Sequence, residues 1–529
     1  MLMALQRAFA AVILACAAVA SATPTVVVGE LFTDLLAFPR ANGKATCRLD
    51  TRQRLRLGNA PWLSGAHLRG GTVPTLRELR ETMLSEAFVF NESREHCVGD
   101  PSVMPHRLGP LNLCVQGFPR LGSRMLFDQY SLEVILLTRW LQEAPICEEE
   151  KGSCGARMVI VPSLIFHHTA ATGRSWLWKY CMTAPLASEY WRRVAARYFT
   201  PGMPGPLVVV AESYSFDNRV GFELLRALSA MPTDFQARAQ VVMLTTMSNL
   251  QSSFRRKAGF APMWQSGADA ELARRALLQR SGGGSLLMIT VSNPVGIFDI
   301  LRWEHTVDSL RPRPIGVLWS ADLGRSGQQL TPVKSNVRLR LSNALAAANA
   351  TCNRDRSRCV LCAPHAPACA RARPSLFGDA ARSVLCIEPP GDTLGRSHAF
   401  VGIITGCIPV LVEGGHPAYP KGEPTWWPWR AAPGIPATES PLRGLTLDYS
   451  AFSLLSDGGG SKDSEAAIRL VNESAFLAAD EQRLSRMRAE LARVAPLFVY
   501  ARQRPPAGAP EDAFERLRET LARVLLVRV

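Results

Sequence analysis

An α/β fold with parallel β-sheets is the fold class that this sequence predicts, because two kinds of segment alternate along the chain. Short apolar runs recur at the length of a buried strand, and segments with helical periodicity lie between several of them. A strand that is covered on both faces, as in a parallel sheet, is apolar throughout. The predicted strands are 25–31, 157–162, 207–211, 240–245, 285–291, 315–320, 384–388 and 408–413, and the predicted helices are 124–141, 218–230, 268–279, 479–494 and 511–527.

Length and composition indicate a globular protein with more than one domain. The chain has 529 residues, of which 47% are hydrophobic and 20% are charged. This length is sufficient for two or three domains with cores of their own. The pattern is interrupted near 290–312, which predicts a linker there, and the Gly-, Pro- and Trp-rich segment 414–446 is typical of an insertion.

The formal net charge of +15 does not by itself indicate nucleic-acid binding. Arginines are scattered along the chain and form no long basic tract. Recognition of nucleic acid requires a concentrated basic patch. The charge distribution therefore argues against a nucleic-acid partner.

The first 22 residues are typical of a secretion signal. Arg7 precedes an apolar stretch over 8–20, which is shorter than the about 17–25 residues of a membrane-spanning helix. The ending Ala20-Ser21-Ala22 suits signal peptidase and predicts cleavage after Ala22. An uncleaved signal anchor, which would make a type II membrane protein, is the alternative. Both interpretations send the remaining chain into the secretory pathway.

Cysteine usage agrees with that destination. The chain has 13 cysteines, and with Cys16 in the leader twelve remain, an even number suited to an oxidising compartment. The cluster at 352–369 has a close pair, Cys359 and Cys362, and zinc binding is the alternative to disulfides there. In a secreted chain disulfides are favoured. Three glycosylation sequons begin at Asn91, Asn349 and Asn472.

The segment 389–397 has the composition of a turn that holds a diphosphate. Ligands of open α/β sheets bind outside the carboxyl ends of the strands. A helix beginning near Leu394 would direct its free N–H groups and positive dipole end into this turn. Arg396 offers a planar set of donors for phosphate oxygens. A purely structural turn with an incidental arginine explains the pattern equally well. The predicted donor-binding residues of the turn are Gly391, Asp392, Thr393, Arg396 and Ser397.

The same region resembles the C-terminal signature of the exostosin family (glycosyltransferase family 47). The matching pieces are the strand Ser383-Val-Leu-Cys386, the turn Pro389-Pro390-Gly391-Asp392 and the strand Gly406-Cys407-Ile408-Pro409-Val410. Weaker matches occur in the same order at 128–133, 447–453, 487–494 and 512–514. The resemblance runs from about residue 124 to 520 and is strongest over 383–412.

This resemblance implies a GT-B fold, in which two Rossmann-like domains face each other across a cleft. Residues 23–300 would form the acceptor domain and residues 301–529 the donor domain with the C-terminal helices. It implies an inverting glycosyltransferase of the Golgi lumen or membrane, with a UDP-sugar donor and a glycan or glycoprotein acceptor. No cofactor and no bound metal are implied, and the chain contains no Asp-x-Asp motif. Association with the Golgi membrane and formation of homo- or hetero-oligomers are left open, as are the sugar and the acceptor.

Further site residues follow from the ends of the predicted strands. Arg325 lies close to where relatives place an arginine that faces the phosphates, and Glu413 would accept hydrogen bonds from the ribose or the donor sugar. Glu212 and Asp217 follow the strand 207–211 and are the candidates for the general base. Relatives often carry a histidine-aspartate pair near this point, and this chain does not. The alternative function is therefore a catalytically inactive, exostosin-like protein that binds glycans or chaperones a partner. His167 and His168 are additional candidates for the base.

Overall fold

The structure is a computed structural model of the chain. It describes residues 26–29, 77, 80, 132–147, 156–161, 184–199, 205–212, 227–228, 230–246, 285–292, 297–298, 313–321, 332–352, 358–363, 379–389, 397–412, 427–430, 444–456, 464–478, 480–501 and 504–527.

The described residues form an α/β structure with the predicted strands in place. The strands are β1 Val26–Val28, β2 Met158–Ile160, β3 Leu207–Glu212, β4 Gln240–Thr245, β5 Ser285–Thr290, β6 Ile297–Phe298, β7 Ile315–Ser320, β8 Thr351–Cys352, β9 Arg358–Cys362, β10 Ser383–Glu388, β11 Ile408–Val412, β12 Leu454–Ser456 and β13 Tyr500–Ala501. The helices are α1 Leu132–Glu143, α2 Ala184–Tyr198, α3 Thr233–Arg238, α4 Pro332–Ala347, α5 Ser397–Ile404, α6 Ser464–Leu477, α7 Glu481–Val494 and α8 Ala513–Val527.

The N-terminal sheet is parallel throughout, in the order β1-β2-β3-β4-β5. Its strands are apolar, which suits a sheet that is buried on both faces. The four apolar side chains of 207–210 in β3 are all buried, and so are the four of 241–244 in β4. Gly29 follows β1 at a point where a Cβ atom would lie 2.6 Å from Tyr198 Oη and 2.7 Å from Val159 Cγ1. A side chain at residue 29 would therefore displace the side chains of Tyr198 and Val159.

The C-terminal sheet has the order β12-β11-β10-β7-β9-β8. The four strands β7, β10, β11 and β12 are parallel to one another. The strands β8 and β9 form an antiparallel hairpin that extends the sheet beyond β7. The fold class predicted from the sequence, α/β with parallel sheets, is confirmed, and the antiparallel hairpin is an addition to it.

An aromatic cluster fills the space between the C-terminal sheet and the helices that follow it. Phe400 of α5 lies 5.8 Å, between ring centroids, from Phe498 and 6.4 Å from Trp427. Tyr449 packs on Trp427 and on Phe498. The Trp429 indole Nε1 donates to the carbonyl of Leu497 at 3.2 Å. The described part of the tryptophan-rich segment 414–446 therefore belongs to the core, which the expectation of an insertion missed.

The C-terminal residues return to the N-terminal half of the chain. β13 pairs with β6, and the buried Tyr500 hydroxyl donates to the carbonyl of Ser292 at 2.9 Å. Burial raises the pKa of Tyr500 well above its usual range, so that the hydroxyl remains protonated and continues to donate. In α8, Phe514 packs edge-to-face on Trp140 of α1 at 5.4 Å between centroids. The start of α8 thus contributes to the packing around α1.

Residues 1–25, which include the predicted signal segment, lie outside the described residues. Of the helices in the described part of the chain, none combines the length and the apolar composition needed to cross a membrane.

Candidate functional site

The carboxyl ends of four parallel strands meet at one edge of the C-terminal sheet. In the register of the sheet, Ile387 lies beside Trp319, and Glu388 lies beside Leu411. At the next pair of strands, Val412 lies beside Ser456. The last residues of β7, β10, β11 and β12 are therefore level with one another, at the place where open α/β sheets bind ligands.

Helix α5 begins at this edge. It is described from Ser397, eight residues after Pro389 at the end of β10. In its first turn, His398 Nδ1 lies 3.4 Å from the carbonyl oxygen of Ser320, the last residue of β7. The N-terminus of α5 therefore lies next to the ends of both β7 and β10. The first N–H groups of a helix have no partner within the helix, and the dipole places positive partial charge there. An anion bound at this edge would accept hydrogen bonds from these N–H groups and would be stabilised by the positive partial charge.

The other end of α5 is closed by a glycine. Gly406 has a positive φ of 75°. Its N–H donates to Ile403 O at 3.1 Å, and the N–H of Cys407 donates to Gly402 O at 2.9 Å. These two hydrogen bonds form a Schellman motif, which ends the helix and turns the chain directly into β11. The Gly-Cys pair of the signature is thus the C-terminal cap of α5.

A buried disulfide joins the two strands that flank α5. Cys386 of β10 is bonded to Cys407, with 5.9 Å between their Cα atoms. Gly402 lies over this disulfide, and a Cβ atom at residue 402 would be 3.6 Å from Cys386 Cβ. This is an ordinary van der Waals distance, so that α5 packs directly on the disulfide at residue 402.

Arg313, which precedes β7, fixes the base of the same unit. The side chain is buried, and its guanidinium donates to the carbonyl of Ser383 at 2.8 Å and to the carbonyl of Thr405 at 3.0 Å. The start of β10 and the end of α5 are thereby held to the start of β7. Charge-assisted hydrogen bonds of this kind are stronger than those between neutral groups. The β10–α5–β11 unit is therefore fixed to the sheet at its amino end.

The described cysteines of the 352–369 cluster form disulfides, as predicted, and Cys369 lies outside the described residues. Cys352 is bonded to Cys359, which joins β8 to β9. Cys362 and Cys147 are disulfide-bonded as well. Cys359 and Cys362, which are close in the sequence, are not bonded to each other. Within the described ranges, no group of three or more His, Cys, Asp or Glu side chains is placed to hold a metal ion.

Two of the predicted site residues have a described backbone position. Ser397 is the first residue of α5, and Glu212 is the last residue of β3, beside Thr245 of β4. Glu212 therefore lies at the carboxyl edge of the N-terminal sheet. The other predicted residues lie outside the described residues; they are His167, His168, Asp217, Arg325, Gly391, Asp392, Thr393, Arg396 and Glu413.

Two polar side chains at the edge of the C-terminal sheet were not predicted. Glu388 ends β10 and is 9% exposed, and His398 lies in the first turn of α5 against β7. Glu388 directly precedes Pro389, and His398 directly follows Ser397. These positions, next to the predicted turn, could have indicated both residues. A charged residue that closes an otherwise apolar strand run marks the edge of a sheet.

The comparisons with known proteins point to sugar transfer. No protein-family model matches the chain, and no solved structure matches it. The chain is 28% identical over 145 residues to "Probable xyloglucan galactosyltransferase GT13" of Arabidopsis thaliana, which covers 27% of this chain and 25% of that protein. It is 32% identical over 136 residues to "Probable xyloglucan galactosyltransferase GT15" of the same organism, which covers 25% of this chain and 24% of that protein. The chain thus spans about a quarter of the length of these curated relatives. Both relatives are named glycosyltransferases, and the resemblance predicted from the signature is confirmed over that part of the chain.

Proposed function

We propose that this chain is an inverting glycosyltransferase that moves a sugar from a nucleoside-diphosphate donor, a UDP-sugar, to a glycan or glycoprotein acceptor. The observation that carries the proposal is the β10–α5–β11 unit, which directs the N-terminus of a buried helix to the carboxyl edge of a parallel sheet. The similarity to named glycosyltransferases supports it. The disulfides support a location in the secretory pathway.

The donor diphosphate binds at the turn between Pro389 and Ser397 in this proposal. Gly391 allows the backbone to approach the phosphates, and Thr393 and Ser397 donate hydroxyl hydrogen bonds to them. Arg396 neutralises the charge that develops on the leaving diphosphate, together with the N-terminus of α5. Asp392 orients this turn. Arg325, after β7, faces the phosphates, and Glu413, after β11, accepts from the ribose or the donor sugar.

The acceptor binds at the N-terminal sheet. Glu212 or Asp217, at and after the end of β3, removes the proton from the acceptor hydroxyl as it attacks. The hydroxyl oxygen forms a bond to the anomeric carbon on the face opposite to the diphosphate. The bond from that carbon to the diphosphate oxygen breaks, and the configuration is inverted. This chemistry requires the two sheet edges to face each other across a cleft, the GT-B arrangement, with the acceptor domain over 23–300 and the donor domain over 301–529.

Release of free nucleoside diphosphate tests the proposal. The purified chain is incubated with a panel of UDP-sugars, with and without oligosaccharide acceptors. The names of the relatives make UDP-galactose with a xyloglucan oligosaccharide the first pair. We expect UDP to be released with at least one donor, and more of it when an acceptor is present.

Substitutions then separate the roles. We expect Arg396→Ala to lower turnover by about 10²–10³-fold, the usual loss when one group that stabilises developing negative charge is removed. We expect Glu212→Gln or Asp217→Asn to lower it by about 10²–10⁴-fold, as for loss of a general base. Arg469→Ala on the exposed face of α6 is the matched control and should turn over as the wild type does. If the folded chain binds UDP but releases none from any donor, it is the inactive, glycan-binding relative.

A further inference from the structure

One sequon of the chain lies in a surface turn that the proposed sugar transfer does not use. Asn349-Ala350-Thr351 follows the end of α4 and leads into β8. We propose that Asn349 is a modification site that carries an N-linked glycan. The argument rests on the turn, on the disulfides and on the sheet register, and it does not depend on the proposed transferase activity.

The turn presents this sequon at the surface. Asn349 is exposed and has a φ of 60°, in the left-handed region that asparagine adopts more readily than most side chains. The N–H of Asn349 donates to Ala346 O at 3.1 Å, and the N–H of Ala350 donates to Leu345 O at 2.9 Å. These bonds cap α4 as a Schellman motif, so that the backbone of the turn is fixed. Thr351 is exposed as well. Both side chains that define the sequon are therefore accessible in the folded chain.

The sequon at Asn472 provides a contrast. Asn472 is exposed, but it lies in the middle of α6. The Ser474 side chain is fully buried, and its hydroxyl donates to the carbonyl of Leu470 at 2.7 Å. The folded helix thus withdraws the hydroxyl of this sequon, whereas glycosylated sequons are typical of surface loops. The sequon at Asn91 lies outside the described residues.

The disulfides indicate an oxidising compartment, and the lumen of the endoplasmic reticulum, where N-glycosylation occurs, is one. Cys352–Cys359 begins one residue after Thr351, and Cys386–Cys407 closes the β10–α5–β11 unit. Structural disulfides of this kind form in the secretory pathway and are rare in the cytosol.

Asn349 lies far in the sheet from the candidate donor edge. β8 is the outermost strand, three strands from β10, which corresponds to about 14 Å across the sheet. Thr351 pairs with Val360, which lies beside Leu318 of β7. Because β8 runs toward the carboxyl edge, Asn349 lies on the amino side of that level. The attachment point of the glycan is therefore separated from the N-terminus of α5 both across the sheet and along the strands.

The modification is a transfer of an oligosaccharide from a lipid-linked diphosphate donor. The amide nitrogen Nδ2 of Asn349 loses one proton and forms a bond to C1 of the first sugar. The bond between C1 and the phosphate oxygen breaks, and the lipid diphosphate leaves with its electron pair.

Peptide mapping of the secreted protein tests the proposal. The full chain is directed into the secretory pathway of a eukaryotic cell by a fused leader, and the Cys352–Cys359 disulfide is verified in the product. Enzymatic release of N-glycans in heavy-oxygen water then converts each modified asparagine to labelled aspartate. We expect the label at residue 349. An unlabelled Asn349 in the disulfide-bonded protein would overturn the proposal, whatever is found at Asn91 or Asn472.

Three variants sharpen the result. Thr351→Ser keeps the hydroxyl and should keep the glycan at Asn349, whereas Thr351→Ala removes the hydroxyl and should lose it. Asn472→Gln should leave the label at residue 349 unchanged. If Thr351→Ala retains the label at residue 349, the modification does not depend on this sequon and the proposal is wrong.

Discussion

At the scale of single residues, Arg139 is the most heavily connected buried charge in the described part of the molecule. Its guanidinium donates to Ala501 O at 3.0 Å, to Asp512 Oδ2 at 3.2 Å and to Glu515 Oε1 at 3.1 Å. Its Cζ lies 4.6 Å from the centroid of the Phe514 ring. Burial raises the pKa of the Asp512 carboxyl, and the Arg139 charge opposes that rise. Arg139 therefore holds together α1, β13 and α8.

Removal of Arg139 should destabilise the whole chain. We expect Arg139→Ala to lower the free energy of unfolding by about 3–5 kcal/mol, because it leaves the Asp512 carboxylate buried without its ionic partner. Unfolding in urea, followed by tryptophan fluorescence, measures the change.

The matched control is Arg192→Ala on α2. Arg192 is 72% exposed and pairs with Glu189 one turn away on the same helix. Exposed pairs of this kind contribute at most about 1 kcal/mol. Equal losses in the Arg139 and Arg192 variants would contradict the role of Arg139 in joining the two ends of the chain.

At the scale of elements, the β10–α5–β11 unit is built by three local devices. The Cys386–Cys407 disulfide joins β10 to the start of β11, the Arg313 guanidinium holds the start of β10 and the end of α5, and Gly406 ends the helix in the left-handed conformation. Together they fix the direction of α5 and hence the position of its N-terminus. The donor site of the proposed function depends on this placement.

Loss of the disulfide should affect both stability and donor binding. We expect the double variant Cys386→Ala, Cys407→Ala to lose about 2–5 kcal/mol in the free energy of unfolding, because the reduced unfolded chain is less constrained. We also expect its UDP affinity to fall, because α5 is no longer fixed to β10. Calorimetric titration and urea unfolding measure the two effects.

The control is the double variant Cys352→Ala, Cys359→Ala. This disulfide spans 7 residues instead of 21, and it lies in the β8–β9 hairpin, away from α5. We expect a smaller loss of stability and an unchanged UDP affinity. An equal fall in UDP affinity in both variants would show that Cys386–Cys407 has no particular part in placing α5.

Substitution by alanine should change the stability in opposite directions at Gly402, within α5, and at Gly406, just after it. We expect Gly402→Ala to be neutral or to stabilise by up to about 1 kcal/mol, because its Cβ would meet Cys386 Cβ at an ordinary 3.6 Å and alanine favours the helix. We expect Gly406→Ala to cost about 1–2 kcal/mol, because residue 406 has a φ of 75°. Thermal unfolding distinguishes them, and a stabilising Gly406→Ala would contradict the Schellman cap.

Parallel strands were predictable from the sequence because burial on both faces makes them uniformly apolar. All predicted strands occur, and β4 and β7 occur with the predicted bounds. Helix α4 was missed because its apolar pattern is blurred: Leu341 and Leu345 are buried, but Leu339 is 47% exposed. The tryptophans at 427 and 429 were missed because Gly and Pro around them are typical of a surface loop, and only tertiary packing shows their burial.

The candidate site was predictable in part. The signature predicts a strand-to-helix turn after β10, and parallel strands place such turns at one edge of the sheet, where α5 begins. The general base for the acceptor hydroxyl was not predictable in the same way. Glu212 ends β3, but Asp217 belongs to the segment after that strand, whose path does not follow from any periodicity. Glu388 and His398 became candidates only when the register brought the ends of β7 and β10 together.

At the scale of the whole molecule, the N-terminal parallel sheet and the C-terminal mixed sheet are connected through the C-terminal segment. The described residues place β13 beside β6, and α8 against α1, after the chain has completed the C-terminal sheet. The packing of the N-terminal half therefore includes the last residues of the sequence. The proposed reaction assigns the acceptor to one sheet and the donor to the other. Its central claim is that the carboxyl edge of the C-terminal sheet binds a nucleoside diphosphate.

Calorimetric titration of UDP into the purified chain tests that claim most directly. The wild type and Arg469→Ala should bind UDP with equal affinity, because Arg469 lies on the exposed face of α6. Arg396→Ala should bind it at least about tenfold more weakly, which corresponds to about 1.4 kcal/mol for one lost charge-assisted contact. Wild-type affinity in Arg396→Ala, or no UDP binding by the folded wild type at millimolar concentration, would contradict the account.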